Sequence, residues 1–197
     1  MNKPFQKIYF DPYLFFSLFL LSILGLFFLF SASNSDISLV LKQMVYVFAG
    51  FIIMILVSQP DPDIFRRTSG LFLIFSLLLL GITYLFGPEI NGAQRWVRLG
   101  PFSFQSSELL KLAVPIFLAN FLFDKKLPIQ RNEIIMSLLI IFCCFFLVFR
   151  QPDLGTALII ACSGLFVLFL SGLSWAFIGG SFVLLIISSP FIWNILL

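Results

Sequence analysis

Long apolar blocks, separated by short polar breaks, run along almost the whole chain. A bilayer core is crossed by roughly 20 helical residues, and the blocks predict seven such segments: 13–31, 39–58, 69–86, 107–123, 134–149, 154–171 and 176–197. Runs such as LFLIFSLLLLGITYLF show no alternation with a period of two, so the segments are predicted to be helices that satisfy their own backbone hydrogen bonds. The expected fold is all-α, a polytopic transmembrane helical bundle, with residues 1–197 forming a single membrane domain.

Composition supports a membrane location. The chain is 60% hydrophobic, with 28 Phe and 11% charged residues, whereas soluble domains carry about a quarter charged residues. We therefore expect an integral membrane protein. The first apolar block is too long for a cleavable signal peptide and ends at no clear cleavage site, so it is expected to stay in the protein. The net charge of +3 suits anionic membrane lipids, and no nucleic-acid partner is expected.

The distribution of Lys and Arg predicts the orientation. With the N-terminus in the cytoplasm, more of these residues fall at the cytoplasmic ends of the segments than at the outer ends, as the positive-inside rule requires. The cytoplasmic set is Lys3, Lys7, Arg66, Arg67, Lys125, Lys126 and Arg131, and the outer set is Lys42, Arg95, Arg98, Lys111 and Arg150. The cytoplasmic break SQPDPDIFRR is interpreted as an ordinary solvated loop.

An unusually polar stretch, NGAQRWVRLGPFSFQSSELLKLAVP, covers residues 91–115. The preceding GPEINGA has turn chemistry, because Pro and Asn-Gly break helices. Arg95 and Arg98 are three residues apart, so in a helical turn they would share one face, with Trp96 in the membrane interface. We expect this segment to lie on the outer membrane surface.

A new helix is predicted to begin after GPFSFQ, with Ser106 or Ser107 as its cap. Glu108 then falls in the first turn, where the helix dipole favours an anion, and Lys111 follows three residues later. Together with the two arginines, this pair predicts an electropositive pocket with one acid, and polar groups at bilayer depth indicate function. The structural alternative is a local ion pair, with arginines that only bind lipid phosphate.

A second polar stretch, FRQPDLGTALI, covers residues 149–159. Arg150, Gln151 and Asp153 stand at the outer end of two apolar segments. Asp153 is placed to cap the sixth segment with Thr156 three residues on, and Gly155 is expected to allow close helix contact. This stretch is either a tight capped connection between helices or a second source of charge for the first cluster.

The residue types exclude several chemistries. Cys143, Cys144 and Cys162 all lie in apolar blocks, where reduced cysteines act as small packing residues. The chain has no histidine and no metal-ligand spacing, so no metal site is predicted from the residues and a His base is excluded.

Three motifs in one order carry a family resemblance: GAQRWVRLGPFSFQSSELLKLAVP, then QPDLGTALI, then SGLFVLFLSGLSW, with FDPYLFF and SAS before them. They closely resemble the RodA branch of the RodA/FtsW family, the shape, elongation, division and sporulation (SEDS) proteins. One departure is Ser106, where the family usually has proline; serine also suits a helix start. Complete members have roughly ten spans, so the resemblance implies that this chain is the N-terminal half of such a protein.

The resemblance implies a peptidoglycan glycosyltransferase of the bacterial cytoplasmic (inner) membrane. Such proteins polymerise lipid II, a disaccharide-pentapeptide on undecaprenyl pyrophosphate, for cell elongation and rod shape, together with a class B penicillin-binding protein. Their base is understood to be an aspartate in an outer loop after the seventh span. That position lies beyond residue 197, so no catalytic residue is expected in this chain, and the fragment alone is expected to be inactive.

Polymerisation requires cations or a divalent metal to stabilise the departing pyrophosphate. The resemblance and the residue chemistry together predict a substrate-binding or cavity set of Arg95, Arg98, Glu108, Lys111, Asp153, Gln151 and Lys42, with Arg150 as a further cation. Two other functions stay open at this point. The protein could be a flippase or transporter of a lipid carrier, or a noncatalytic membrane scaffold for a penicillin-binding protein.

Overall fold

The structure, a computed structural model, describes residues 11–34, 36–89, 92, 94–99, 102–173, 179–180 and 183. The elements in these residues are α1 (Pro12–Ala32), α2 (Ile37–Val57), α3 (Pro62–Phe86), β1 (Trp96–Leu99), β2 (Phe102–Gln105), α4 (Ser106–Phe123), α5 (Arg131–Phe149) and α6 (Leu154–Leu170). The helices α1 to α5 are long and apolar enough to cross a membrane, and α6 is an apolar helix of 17 residues. The predicted helical bundle is confirmed. The predicted segment 176–197 lies outside the described residues, apart from 179, 180 and 183.

The chain forms two compact units, Met1–Pro62 and Asp63–Leu197, called unit 1 and unit 2 below. The expectation of one membrane domain stays a prediction. In unit 1, α1 and α2 contact each other through aromatic rings: Phe51 lies 5.2 Å from Phe15 and 6.3 Å from Phe19, centroid to centroid. Neither helix has a fully buried residue. Their apolar side chains are therefore available to lipid.

Aspartates cap both helices of unit 1. Asp11 accepts hydrogen bonds from the backbone N–H groups of Tyr13 and Leu14, at 2.9 and 3.2 Å. Asp36 accepts from the hydroxyl of Ser38 at 2.7 Å and from its backbone N–H at 2.9 Å. These bonds favour the carboxylate and lower the pKa of Asp36 below its ordinary value. Each cap satisfies N–H groups that the first turn of a helix leaves free.

The helix α3 begins earlier than the hydrophobic pattern predicts. It starts at Pro62 instead of residue 69, so the DIFRR part of the predicted cytoplasmic loop is helical. Proline suits the first helical position because its missing N–H is not needed there. Asp63 then lies in the first turn, and its Oδ1 pairs with Nε of Arg66 at 3.2 Å. The charged residues interrupt the hydrophobic pattern, so the pattern does not reveal the helix start that these local interactions favour.

The core of unit 2 is built around α4. Leu110, Val114 and Leu118, spaced four residues apart, are fully buried on one face of this helix, and α4 and α5 both pack against α6. At Gly164 of α6, a Cβ atom would meet Cγ1 of Ile141 at 2.6 Å, so only glycine fits this crossing. A Cβ at Gly155 would meet nothing within 4 Å. The predicted close contact at Gly155 is therefore wrong, and Gly164 provides it instead.

The two ends of unit 2 are distinct. One end holds the C-terminus of α3, the β1–β2 hairpin, the N-terminus of α4 and the turn between α5 and α6; we call it the hairpin end. At the opposite end, the guanidinium of Arg66 lies 4.3 Å from the ring centroid of Phe123, which ends α4. The helices thus bring residues that are distant in the sequence to the hairpin end.

Candidate functional site

The stretch that holds Arg95 and Arg98 is a β-hairpin, and the predicted helical turn is wrong. The strands pair in antiparallel register, with Trp96 opposite Gln105 and Arg98 opposite Ser103. Trp, Val and Phe favour extended backbone, and residues three apart in an extended chain point to opposite sides. The two arginines therefore do not share a face, and Arg98 is exposed.

Arg95 connects the hairpin to the turn between α5 and α6. Its Nε donates a hydrogen bond to the backbone carbonyl of Gln151 at 2.7 Å, and its Nη2 donates to the carbonyl of Pro152. A planar guanidinium can reach two neighbouring carbonyls at once, which a lysine ammonium does less well. The structure thus brings Arg95 and Gln151 together, although 56 positions separate them.

Gln105 makes a second connection to the same turn. It is the N-cap residue of α4, yet its side chain makes no capping bond. Its Nε2 donates instead to Oδ2 of Asp153 at 2.6 Å and to the hydroxyl of Ser107 at 3.0 Å. The prediction of Ser106 or Ser107 as the cap is wrong, because β2 runs directly into the helix and both serines lie buried in its first turn.

Asp153 caps α6 as predicted. Its Oδ1 accepts from the backbone N–H of Thr156 at 3.2 Å, while its Oδ2 accepts from Gln105. Both carboxylate oxygens therefore accept hydrogen bonds, one from within α6 and one from the hairpin residue Gln105. This use of the carboxylate agrees with the structural alternative for the second polar stretch.

Gln151 is buried between helices. The residue is 2% exposed, its Nε2 donates to the carbonyl of Leu80 in α3 at 3.2 Å, and its backbone carbonyl accepts from Arg95. It therefore contacts both α3 and the hairpin. The local sequence gives no sign of these contacts, because they depend on how the tertiary fold places α3 and the hairpin near the α5–α6 turn.

Glu108 and Lys111 form the predicted pair on α4. Nζ of Lys111 lies 2.7 Å from Oε1 of Glu108, and the side chains are 23% and 45% exposed, respectively. Ser107 lies four residues before Lys111, so it shares the same face of the helix. Glu108 is in the first turn, where the helix dipole adds to the attraction. This ion pair lies beside the connection that Gln105 and Asp153 make.

Across the described ranges, no group of three or more His, Cys, Asp or Glu residues could hold a metal. Glu108 is paired with Lys111, and Asp153 accepts from Gln105 and Thr156. The possible divalent cation stays a prediction. Lys42 is exposed on α2 in unit 1, and its role stays a prediction. The three cysteines are free.

Comparisons with known proteins agree with this architecture. The family of FtsW, RodA and SpoVE, described as "Cell cycle protein", matches residues 12–197. Peptidoglycan glycosyltransferase MrdB of Escherichia coli K12 is 36% identical over 98% of this chain, which covers 52% of that protein. The chain thus spans about half the length of this curated relative. A probable peptidoglycan glycosyltransferase FtsW of Wigglesworthia glossinidia brevipalpis is 29% identical over 88% of the chain.

Two solved structures share the fold. One belongs to the work described as "Structural coordination of polymerization and crosslinking by a peptidoglycan synthase complex". It has a TM-score of 0.84 and 30% identity, over 96% of this chain and 56% of that one. The other is the rod shape determining protein RodA of Thermus thermophilus, with a TM-score of 0.81 and 30% identity, over 92% of this chain and 60% of that one. The fold is that of a multi-pass membrane protein, and the curated relatives are named as peptidoglycan glycosyltransferases. The chain belongs to the FtsW/RodA/SpoVE family.

Proposed function

We propose that this chain forms part of a peptidoglycan glycosyltransferase that polymerises lipid II in the bacterial cytoplasmic membrane. The observation that carries the proposal is its 36% identity, over 98% of its length, with a curated peptidoglycan glycosyltransferase. The hairpin end supports it, because it combines the Glu108–Lys111 ion pair with the exposed cation of Arg98.

Glycosyl transfer sets the chemical requirements that the hairpin end would meet. Glycosyl transfer from a lipid pyrophosphate needs positive charge where the pyrophosphate leaves, and a base for the attacking sugar hydroxyl. The N-terminal part of α4 supplies Lys111, whose side chain is partly buried, at 23% exposed, and whose ammonium pairs with Glu108. We assign Lys111 to the phosphate groups and Glu108 to the orientation of Lys111. Exposed Arg98 is a second cation available to the substrate.

The remaining predicted site residues are assigned a positioning role. Arg95 uses its guanidinium on the two carbonyls of the α5–α6 turn, and Asp153 uses both oxygens on Gln105 and Thr156. Through these bonds, Arg95, Gln151 and Asp153 hold the hairpin against the α5–α6 turn. We propose that they fix the place of Arg98 and of the start of α4, and that they do not contact the phosphates.

The proposal also includes the membrane orientation of the chain and a protein partner. With the N-terminus in the cytoplasm, the hairpin end lies on the outer side of the membrane, where glycan strands are built. Similarity to a chain from a peptidoglycan synthase complex supports a crosslinking partner, for which we propose a class B penicillin-binding protein.

The test joins residues 1–197 to the remaining C-terminal part of E. coli MrdB, because this chain covers 52% of that relative. The purified chimera is given fluorescent lipid II, and products are separated by gel electrophoresis. We expect glycan polymer. A matched protein in which residues 1–197 carry Lys111→Ala shows whether the polymer depends on this chain.

Two other outcomes would replace the proposal. Movement of lipid II across vesicles by the chimera, without polymer, would assign a flippase. Binding of a penicillin-binding protein, with neither polymer nor lipid movement, would assign a scaffold.

A further inference from the structure

A cavity of about 210 Å³ lies between α3 and α5, toward the hairpin end of unit 2. Its walls are apolar over most of their length and polar where the two helices end. The wall residues used below are Leu77, Gly81, Phe146, Arg150 and Gln151. No predicted function of the chain uses this cavity as a whole.

The first sign of a ligand is the amide of Gln151. The residue is 2% exposed and its Nε2 donates to the carbonyl of Leu80, but its Oε1 has no hydrogen-bond partner among the described residues. A buried amide oxygen without a partner is costly, and native structures leave few of them. A ligand in the cavity that offers a hydroxyl donor would satisfy it.

The second sign is the charge of Arg150. Its guanidinium lies 5.8 Å from the ring centroid of Phe146, on the wall of the same cavity. Within the part of the chain that the structure describes, Arg150 forms no salt bridge. One free cation at the end of an apolar groove matches a ligand with one negative charge and an apolar body. A pyrophosphate carries more charge than a single arginine balances.

We propose that this cavity binds an anionic phospholipid with a hydroxylated headgroup, of the phosphatidylglycerol type. The phosphodiester contacts Arg150, a headgroup hydroxyl donates to Oε1 of Gln151, and one acyl chain lies along Leu77 and Phe146. The site shares Gln151 with the contacts that position the hairpin, but lipid binding does not depend on the proposed glycosyl transfer.

The test places the purified chain in phosphatidylcholine nanodiscs that contain a small fraction of one photoactivatable lipid. Three probes separate the two polar contacts. Phosphatidylglycerol has a phosphate and a hydroxyl, phosphatidylcholine has a phosphate without a headgroup donor, and diacylglycerol has a hydroxyl without a phosphate. We expect phosphatidylglycerol to label the peptides 77–84 and 146–151 about tenfold more than either other probe, because diacylglycerol loses the charge-assisted bond to Arg150 and phosphatidylcholine leaves the buried Oε1 of Gln151 without a donor.

Glycine substitutions test the cavity itself. A Cβ at Gly81 meets nothing within 4 Å, so Gly81→Leu fills the cavity without a clash of its Cβ and should reduce labelling about tenfold. Gly50→Leu is the matched control, because Gly50 is also helical with nothing within 4 Å and lies in unit 1; its labelling should equal that of the parent. Arg150→Gln should remove the preference for phosphatidylglycerol over diacylglycerol.

Three results would overturn the proposal. Equal labelling by all three probes would show an apolar groove without headgroup recognition. Full labelling of Gly81→Leu would place the lipid elsewhere. Stronger labelling by a photoactivatable undecaprenyl phosphate than by phosphatidylglycerol would assign the cavity to the isoprenoid carrier.

Discussion

Arg95→Lys should release the β1–β2 hairpin from the α5–α6 turn without unfolding the helices. The parent guanidinium donates to two carbonyls, those of Gln151 and Pro152, and lysine cannot present the same planar fork. We expect the lysine variant to lose the free energy of about one hydrogen bond made by a charged donor. Since one of the two bonds is exposed, the low end of the range applies, about 1.5 kcal/mol.

The effect should be visible as faster amide hydrogen exchange. A two-stranded hairpin is marginally stable by itself, so residues 94–105 should open once they leave the α5–α6 turn. A change of 1.5 kcal/mol corresponds to about a tenfold faster exchange in peptides covering the hairpin. Peptides from α5 and α6 should keep their protection, because their own hydrogen bonds are unchanged.

Arg98→Lys is the matched control for this experiment. Arg98 lies on the same hairpin but is exposed, so its replacement should leave exchange unchanged. Equal exchange rates in the two variants would refute the assignment of Arg95 to a positioning role. Unfolding of the whole of unit 2 by Arg95→Lys would refute the local character of the contact.

Two further predictions concern packing and topology. Gly164→Ala should lower the free energy of unfolding in detergent by about 1–3 kcal/mol, because its Cβ would lie 2.6 Å from Cγ1 of Ile141. Gly155→Ala should leave the free energy of unfolding unchanged, because its Cβ would meet nothing within 4 Å. Similar melting temperatures for the two variants would contradict the crossing at Gly164. Single cysteines are placed at Ser103 and Gln130 in a background without native cysteines. They should react with a membrane-impermeant thiol reagent from opposite sides of the membrane, Ser103 from outside. Reaction of both from one side would show that α4 does not cross the membrane.

The helices could be predicted from the sequence because each depends on a continuous apolar run. The predictions were wrong where polar residues belong to a helix, as at the start of α3, and where the backbone is extended, as in the hairpin. At Asp63 and Arg66 the hydrophobic pattern is interrupted, although a proline start and an i,i+3 ion pair support the helix. A spacing of three between Arg95 and Arg98 suggested a helical turn. The strand-forming residues on both sides of Gly100-Pro101 were the available signal for a hairpin.

The candidate site was only partly predictable for a physical reason. The Glu108–Lys111 pair and the Asp153 cap are local, three residues from their partners, so spacing reveals them. The bonds from Gln105 to Asp153 and from Gln151 to Leu80 span 48 and 71 positions. They follow from how α3, α4 and α5 pack, which no local pattern records.

The central claim is that Lys111 at the hairpin end contributes to glycan polymerisation, and one rate measurement tests it. The chimera with E. coli MrdB is compared with its Lys111→Ala variant in polymerisation of fluorescent lipid II, with Lys126→Ala, at an exposed residue beyond α4, as the control. Loss of one preorganised electrostatic contact typically costs about 10²–10³-fold in rate. We predict a loss of that size for Lys111→Ala, with normal membrane insertion and a parental rate for Lys126→Ala. A parental rate in the Lys111→Ala variant would contradict the account.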